Sequence, residues 1–393
     1  MNNNINFLVF GRFPTERAYG VHVIANANSF RKYGNINIFY PKTTNSKTIN
    51  KDPKDYYSET DGINFKKINF YDITDNFIYP YLPSLIQQFL WLLFTYLFGK
   101  KVSKLIPNSE HEINWSTSSV LLYATSKQKQ KLIYEMHGRA KKIQSMFLKK
   151  IHNSNFSKAL FISTSKFGFK DLKRKGIANN LYFMPNAVDL NLFKPQENKL
   201  NDSNTLNIGY VGQLHTYGVE KGVEFSIKAL DKAIEETEEL IYENILFSII
   251  GGSTQEHEEL ELKLNVKNVN INFIENTTQK KVANLVNKLD IGLVPYPNDE
   301  HIAKYSSSLK LFEYIASGIS VIASNVESNM VFEENNIGID YYKVDDFIDL
   351  KEKLKFYISK NNHQHILKLS SLNMEYRKNL SWELRTEEIM TKI

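Results

Sequence analysis

Ten short runs rich in Ile, Val, Leu and Phe, each separated from the next by a helix-length or longer segment, limit the possible folds more than any other feature. Five lie in the first half: Phe7–Phe10, Ile36–Tyr40, Val120–Ala124, Leu132–Met136 and Leu160–Ser163. Five more follow at Leu206–Val211, Ile245–Ile250, Val269–Ile274, Ile291–Pro295 and Ser320–Ala323. Strands that are apolar throughout must be buried on both faces, which a parallel sheet covered by helices provides. Two such series predict an α/β chain of two Rossmann-like, doubly wound domains, and 393 residues exceed what one ordinary core holds. The join is expected between Pro185 and Asn204, where the stretch from Pro195 is polar and turn-prone. The domains are therefore placed at 1–188 and 204–376. Ligands of open α/β sheets bind beyond the carboxyl ends of strands, at topological switch points, so strand-to-helix turns are where chemistry is sought.

Composition removes several function classes. The absence of cysteine excludes disulfides, thiolate zinc sites and cysteine nucleophiles, and it suits a reducing compartment. The first residues run straight into the Ile5–Phe10 strand without a signal-peptide pattern, so a cytoplasmic location is expected. A net charge of +6 is mild, though it favours an anionic membrane surface. The one basic run, Thr125–Lys131, reads as a solvated loop, and no nucleic-acid partner is expected.

Tyr305–Ser324 is the most informative segment. Ser308 suits an N-cap, Leu309, Phe312 and Ala316 share a helical face, and Gly318 can end the helix in a left-handed turn. The free amides of Leu309 and Lys310 would attract an anion, with a dipole contribution of about 0.3–2 kcal/mol. Glu313, one turn further in, can accept two hydroxyl hydrogen bonds, as a ribose diol supplies. By themselves these residues are read more readily as a solvent-exposed helix with a Lys310–Glu313 pair.

The ordered string from Ser307 to Ser324 resembles the donor-binding signature of family-4 retaining glycosyltransferases, which have the GT-B fold: two Rossmann-like domains facing across a cleft. The resemblance implies that Glu313 holds the ribose of a nucleotide sugar. It also implies that the helix start, Ser307, Ser308, Leu309 and Lys310, holds the diphosphate. A glutamate common in the family near the transferred sugar is replaced by Tyr305.

Three further segments carry the resemblance. In Ile208–Leu230 a strand ends at Val211 and a helix starts near Gly222. Gly212 permits close backbone approach, and Lys221 can place a charge against a phosphate. Alone, this lysine reads as a solvated one; in the family it binds donor phosphate, and an arginine common near Gln213 is missing. In Leu132–Arg139 a strand delivers His137 and Gly138 to its carboxyl edge. A packed or surface histidine is the ordinary reading, but the family's Glu-x-His-Gly motif implies that His137 faces acceptor and sugar. Glu135 is assigned to structure. In Phe7–Asn26, a glycine loop precedes a helix with Val21, Ile24 and Ala25 on one side, and Tyr19–Gly20 could admit a phosphate or acceptor hydroxyl. This loop matches neither the dinucleotide fingerprint nor a Walker loop. Met184–Pro195 and Asn379–Arg385 resemble the family's interdomain turn and closing segment, implying a final helix, about 377–393, that crosses back to the first domain.

The implied reaction moves a sugar from a UDP- or GDP-sugar to a glycan or lipid-linked acceptor, in bacterial surface polysaccharide or glycolipid assembly. The implied catalytic set is His137, Lys221 and Glu313. Gly20, Gly212, Gln213 and the Ser307–Lys310 turn add donor contacts, and Tyr19, His137 and Gly138 line the acceptor side. No cofactor or metal is expected, since no Asp-x-Asp motif is present. A sugar-nucleotide epimerase and an inactive glycosyltransferase-like partner are the alternatives.

Between Pro83 and Gly99 the chain is almost wholly apolar. As a helix of about 25 Å, interrupted by Gln87 and Gln88, it falls short of the roughly 30 Å hydrocarbon core. It reads either as a buried helix or as a peripheral contact with the inner face of the plasma membrane, aided by Lys100, Lys101 and Lys104.

Overall fold

The computed structural model describes residues 3–15, 18–42, 49, 51–57, 59–71, 73–154, 158–195, 204–216, 218–359 and 362–393. Residues 196–203 of the expected linker lie outside these. The chain divides into two units, Met1–Pro185 with Trp382–Ile393, and Asn186–Ser381. The first division falls after Pro185 rather than at 188, because Val188 pairs with Ser381 and its amide donates to Leu380 O. The second falls before Trp382 rather than at 377, because Arg377 donates to the carbonyls of Ala316, Leu190 and Phe193.

The first unit holds β1 (Asn3–Leu8), α1 (Ala18–Phe30), β2 (Gly34–Pro41), α2 (Pro53–Tyr56), β3 (Ile63–Ile68), α3 (Ser84–Ser103), β4 (Glu112–Ser116), α4 (Ser119–Thr125), β5 (Lys131–Met136), α5 (Lys142–His152), β6 (Lys158–Ser163), α6 (Lys166–Arg174) and β7 (Leu181–Phe183). Its seven strands are all parallel, in the order β3-β2-β1-β4-β5-β6-β7. The sense of winding reverses between β1 and β4, so the switch point lies at their carboxyl ends.

The second unit repeats the pattern. It holds β8 (Thr205–Val211), the hairpin β9 (His215–Thr216) and β10 (Val219–Glu220), α7 (Val223–Glu235), β11 (Asn244–Ile250), α8 (Thr254–Lys263), β12 (Asn270–Ile274), α9 (Gln279–Val286), β13 (Ile291–Val294), α10 (Leu309–Ala316), β14 (Ser320–Ser324), β15 (Ile339–Tyr342), α11 (Phe347–Ile358) and α12 (His363–Tyr376). Six parallel strands run β12-β11-β8-β13-β14-β15, with the switch point between β8 and β13. The last helix, α13 (Trp382–Lys392), belongs to the first unit, where Thr386 Oγ1 lies 2.5 Å from Ser29 Oγ of α1.

Nine of the ten apolar runs are strands or strand ends. The exception is Val120–Ala124, which lies within α4. Ser118 accepts a bond from the Leu121 amide at 3.3 Å, and the helix is buried on nearly every side. A short apolar run cannot by itself separate a buried helix from a buried strand. The strand of that repeat is β4, Glu-Ile-Asn-Trp-Ser, whose alternate polar residues are all buried.

Of the two readings of the 83–99 segment, the structure corrects the buried helix. Helix α3 is 20 residues, about 30 Å long. Only Thr95, Phe98, Gly99 and Val102 are buried, so the helix is not a buried one. No helix among the described residues is long and apolar enough to cross a membrane.

Candidate active site

In the second unit, the switch-point crevice brings most of the sequence-predicted donor residues together. Strand β8 ends at Val211, and Gly212 follows with φ of +122°, a conformation that favours glycine. A Cβ on Gly251 at the end of β11 would press on the backbone of Gly212, so the two turns can approach this closely only with glycine at 251. Gly222 has φ of +83° and packs against the carbonyl of Pro295, at the end of β13. Between them the β9–β10 hairpin closes through the Lys221 amide, which donates to Leu214 O at 3.0 Å. The Glu220 carboxylate accepts from the amides of Gly222 and Val223 at 2.7 and 2.6 Å. The α7 start is thus capped from within, which leaves α10 as the helix terminus facing this crevice.

Helix α10 is held there by Tyr314. Its hydroxyl accepts from the Val211 amide at 2.9 Å, and its ring fills the space beside Gly292. Ser308 sits at the N-cap, but its side chain does not cap the helix; its Oγ accepts from the buried Tyr296 hydroxyl at 3.0 Å. The amides of Leu309 and Lys310 lie in the first turn, where an α-helix supplies no acceptor. Ser307 is committed to its own unit, its Oγ accepting from the Asn186 amide and its carbonyl from Asn186 Nδ2. Gln213 donates to Asn276 Oδ1 at 2.9 Å.

The exposed Lys310–Glu313 pair is corrected by the structure: both side chains are 7% exposed. Lys310 Nζ stacks over the Tyr210 ring, 3.8 Å from its centroid, and 5.0 Å from that of Tyr296. It has no hydrogen-bond partner. A Cβ built on Gly212 would lie 3.5 Å from this ammonium, so whatever approaches Gly212 meets it. Burial, then the charge of Lys221, pushes the Lys310 ammonium well below its ordinary range. Burial also lowers Lys221, to about 8, against the attraction of Glu256 and Glu220. Burial raises Glu313 to about 7, opposed by Lys310 and by a hydrogen bond from Gln279 at the start of α9. Two lysines and one glutamate therefore share a crevice in which burial works against the charge of each. A buried, unpartnered ammonium is costly, and an anion that accepts its hydrogens recovers that cost. Tyr305, in place of the family's carboxylate, is buried.

In the first unit, Glu135 and His137 are two residues apart around the end of β5 and meet on one side. Glu135 is fully buried and serves as a hub. Its Oε1 lies 3.0 Å from His137 Nε2, 3.1 Å from His22 Nε2 and 2.8 Å from Arg385. Its Oε2 accepts from Trp115 Nε1 at 3.1 Å. Burial opposes its charge, but the Arg385 guanidinium and His22 hold it well below the usual carboxylate range. Burial and His137 lower His22 to about 4, so it is neutral at pH 7. A carboxylate only accepts, so the nearest ring nitrogen must donate. The His137 side chain is 29% exposed, with Nδ1 the ring nitrogen turned away from Glu135.

Two histidines and a carboxylate this close have the make-up of a metal site. They do not fit one here, because the oxygen that would bind the ion already faces three donors and Arg385 supplies the positive charge. His22 and Arg385 were not anticipated from sequence; the signal available was a helical histidine after β1, with no cue to its partner.

Tyr19 and Gly20 lie in the first turn of α1 rather than in a loop. The Tyr19 hydroxyl bonds Thr117 beyond β4, and burial pushes it to about 12. Gly20 is buried against Tyr57, whose hydroxyl donates to Thr15 O and accepts from its amide, both at 2.8 Å. It is a packing glycine with no room for a phosphate on that side. On α1, Val23, Ile24 and Ala27 face the core, while Val21 and Ala25 are half-exposed. Gly138 follows His137, half-exposed.

Residues 205–355 match the family model described as glycosyl transferases group 1. The match covers most of the second unit, from β8 into α11. Solved structures extend the likeness to the whole chain. Sucrose-phosphate synthase from Thermosynechococcus elongatus is 15% identical over 99% of this chain and 98% of its own, with a TM-score of 0.72. HepE from Anabaena, in complex with UDP and glucose, is 14% identical over the full length of both chains, at 0.69. Trehalose 6-phosphate synthase from Burkholderia multivorans is 10% identical over 100% and 98%, at 0.67. At these identities the likeness establishes the fold, GT-B. No curated protein matches the sequence.

Proposed function

We propose that this glycosyltransferase moves a sugar from a nucleoside diphosphate sugar to an acceptor hydroxyl with retention at the anomeric carbon and without a metal. The observation that carries the reading is the unpartnered, buried Lys310 ammonium beside Gly212, with Lys221 and Glu313 in the same crevice. The diphosphate would lie over the α10 start, taking hydrogen bonds from the Leu309 and Lys310 amides and charge from both lysines. Fixed charges of this kind stabilise a leaving diphosphate as negative charge builds on it. Glu313 as a carboxylate would accept the ribose hydroxyls. The HepE structures with UDP-glucose and with UDP and glucose support a nucleotide sugar as donor. His137, held through Nε2 by Glu135, would accept a hydrogen bond at Nδ1 from a hydroxyl of the sugar or acceptor and so orient it. A glycan or lipid-linked acceptor in bacterial surface polysaccharide or glycolipid assembly fits this reading. One neighbour, TarM from S. aureus, carries UDP and α-GlcNAc-glycerol.

The test is nucleoside diphosphate release from a panel of UDP- and GDP-sugars, with and without a lipid-diphosphate acceptor. Lys221→Ala and Glu313→Ala should each weaken nucleotide binding about tenfold or more. Wild-type affinity in both variants overturns the site. Tyr305 favours a second reading, a fold retained without turnover; nucleotide binding with no transfer to any acceptor would establish it.

A further inference from the structure

We infer that the outer face of the first unit formed by α3 and α5 is a docking surface for a bilayer containing anionic phospholipid. Leu85, Phe89, Leu93 and Leu97 recur every four residues on α3 and are 79%, 62%, 38% and 44% exposed; Ile86 lies beside them. Trp91 and Phe94 point the other way, toward Phe10 and Phe70. An exposed apolar row of this length on one helix marks a contact site.

Charge identifies the partner. Residues 76–170 carry 14 Lys and Arg against 3 Asp and Glu, an excess of 11, while the whole chain has an excess of only 6. Of those three acids, Glu112 and Glu135 are buried. Neither α3, α4 nor α5 contains an acidic residue.

An aromatic seam makes the three helices one surface. Tyr96 of α3 and Tyr123 of α4 both meet Phe147 of α5, at 6.3 and 5.2 Å between ring centroids. Lys100 lies over Tyr96, and Lys150 over Tyr123 and Phe147, at 5.4 to 5.6 Å. Beside the seam, an open groove is lined by Arg139, Lys141, Lys142, Lys149, Lys150 and Lys175 with Met146 at its wall. Met146 and Ile143 of α5 are themselves exposed.

Apolar side chains at one height and lysines around them match the two layers of a bilayer interface, acyl boundary and phosphate headgroups. The long lysine stems can lie along the apolar surface with their ammonium groups in the headgroup layer. A nucleic acid would use the cations and leave the leucine row idle; a protein groove would not need the charge excess.

The experiment is flotation of the full chain with vesicles of phosphatidylcholine alone, or mixed with phosphatidylglycerol. Variants are Phe89→Ser/Leu93→Ser and Lys149→Glu/Lys150→Glu, with UDP binding and the thermal midpoint as folding controls. The expected result is binding to the anionic vesicles only, weakened by added salt. It should fall more than about tenfold in the lysine variant and substantially in the apolar one, at unchanged UDP affinity. No binding of the wild type to anionic vesicles overturns the inference. So does binding that the apolar variant leaves unchanged, which would mark the patch as a polyanion site. The UDP measurement keeps this outcome separate from the donor-site reading.

Discussion

Replacing Glu313 by Gln tests both the cost and the use of the buried carboxylate. In the folded chain burial raises this group from 4.5 to about 7. A raised carboxyl disfavours folding where the carboxylate is charged. The penalty is absent below the unfolded value and complete above about 7, where the shift corresponds to about 3 kcal/mol. Glutamine keeps the shape and an oxygen for Gln279 but carries no charge, though its amide still costs something to bury. At pH 8 the variant should therefore be more stable by about 1–3 kcal/mol, a midpoint rise of roughly 3–9 °C for a unit of this size. At pH 4.5 the folded-state carboxyl is neutral, and the variant should lose this advantage and keep only the cost of burying its amide. UDP affinity at pH 8 should fall about tenfold, because the amide accepts fewer hydroxyl hydrogens than the carboxylate. Thermal melts at both pH values and calorimetric UDP titration give the two readings. A variant that is destabilised at pH 8 refutes the burial argument, and one that binds UDP as the wild type does refutes the ribose role.

The free site titrates in a narrow window, with Glu313 charged above about 7 and Lys221 losing its charge above about 8. Nucleotide affinity should therefore fall above about 8 and below about 7, and Lys221→Met should reduce the alkaline fall in a calorimetric pH series, leaving the part that Lys310 contributes. In the first unit, Arg385→Met leaves buried Glu135 without its cation. The cost expected is about 3–5 kcal/mol, and Glu135→Gln in the same chain should recover much of it in denaturant unfolding.

The strands of the second sheet were legible because parallel strands buried on both faces must be apolar throughout, as in Ile245–Ile250 and Ser320–Ala323. The same rule misread Val120–Ala124, where a helix packed between two others is equally apolar. It missed β4, since Asn6 and Gln130 satisfy Asn114 inside the sheet and make a polar strand tolerable there. The site was legible where its residues are contiguous, as in Ser308–Glu313. That Lys310 would be buried over Tyr210 rather than exposed depends on β8, about a hundred residues earlier, and no local pattern encodes it. The Glu135 hub is harder still, because His22, Glu135 and Arg385 come from the two ends and the middle of the first unit.

The most direct test of the account is a crystal structure of the chain with UDP. It should show a phosphate oxygen within about 3 Å of the Leu309 or Lys310 amide and of Lys310 Nζ, with the ribose hydroxyls on Glu313. UDP bound elsewhere, with Lys310 still unpartnered over Tyr210, would contradict it.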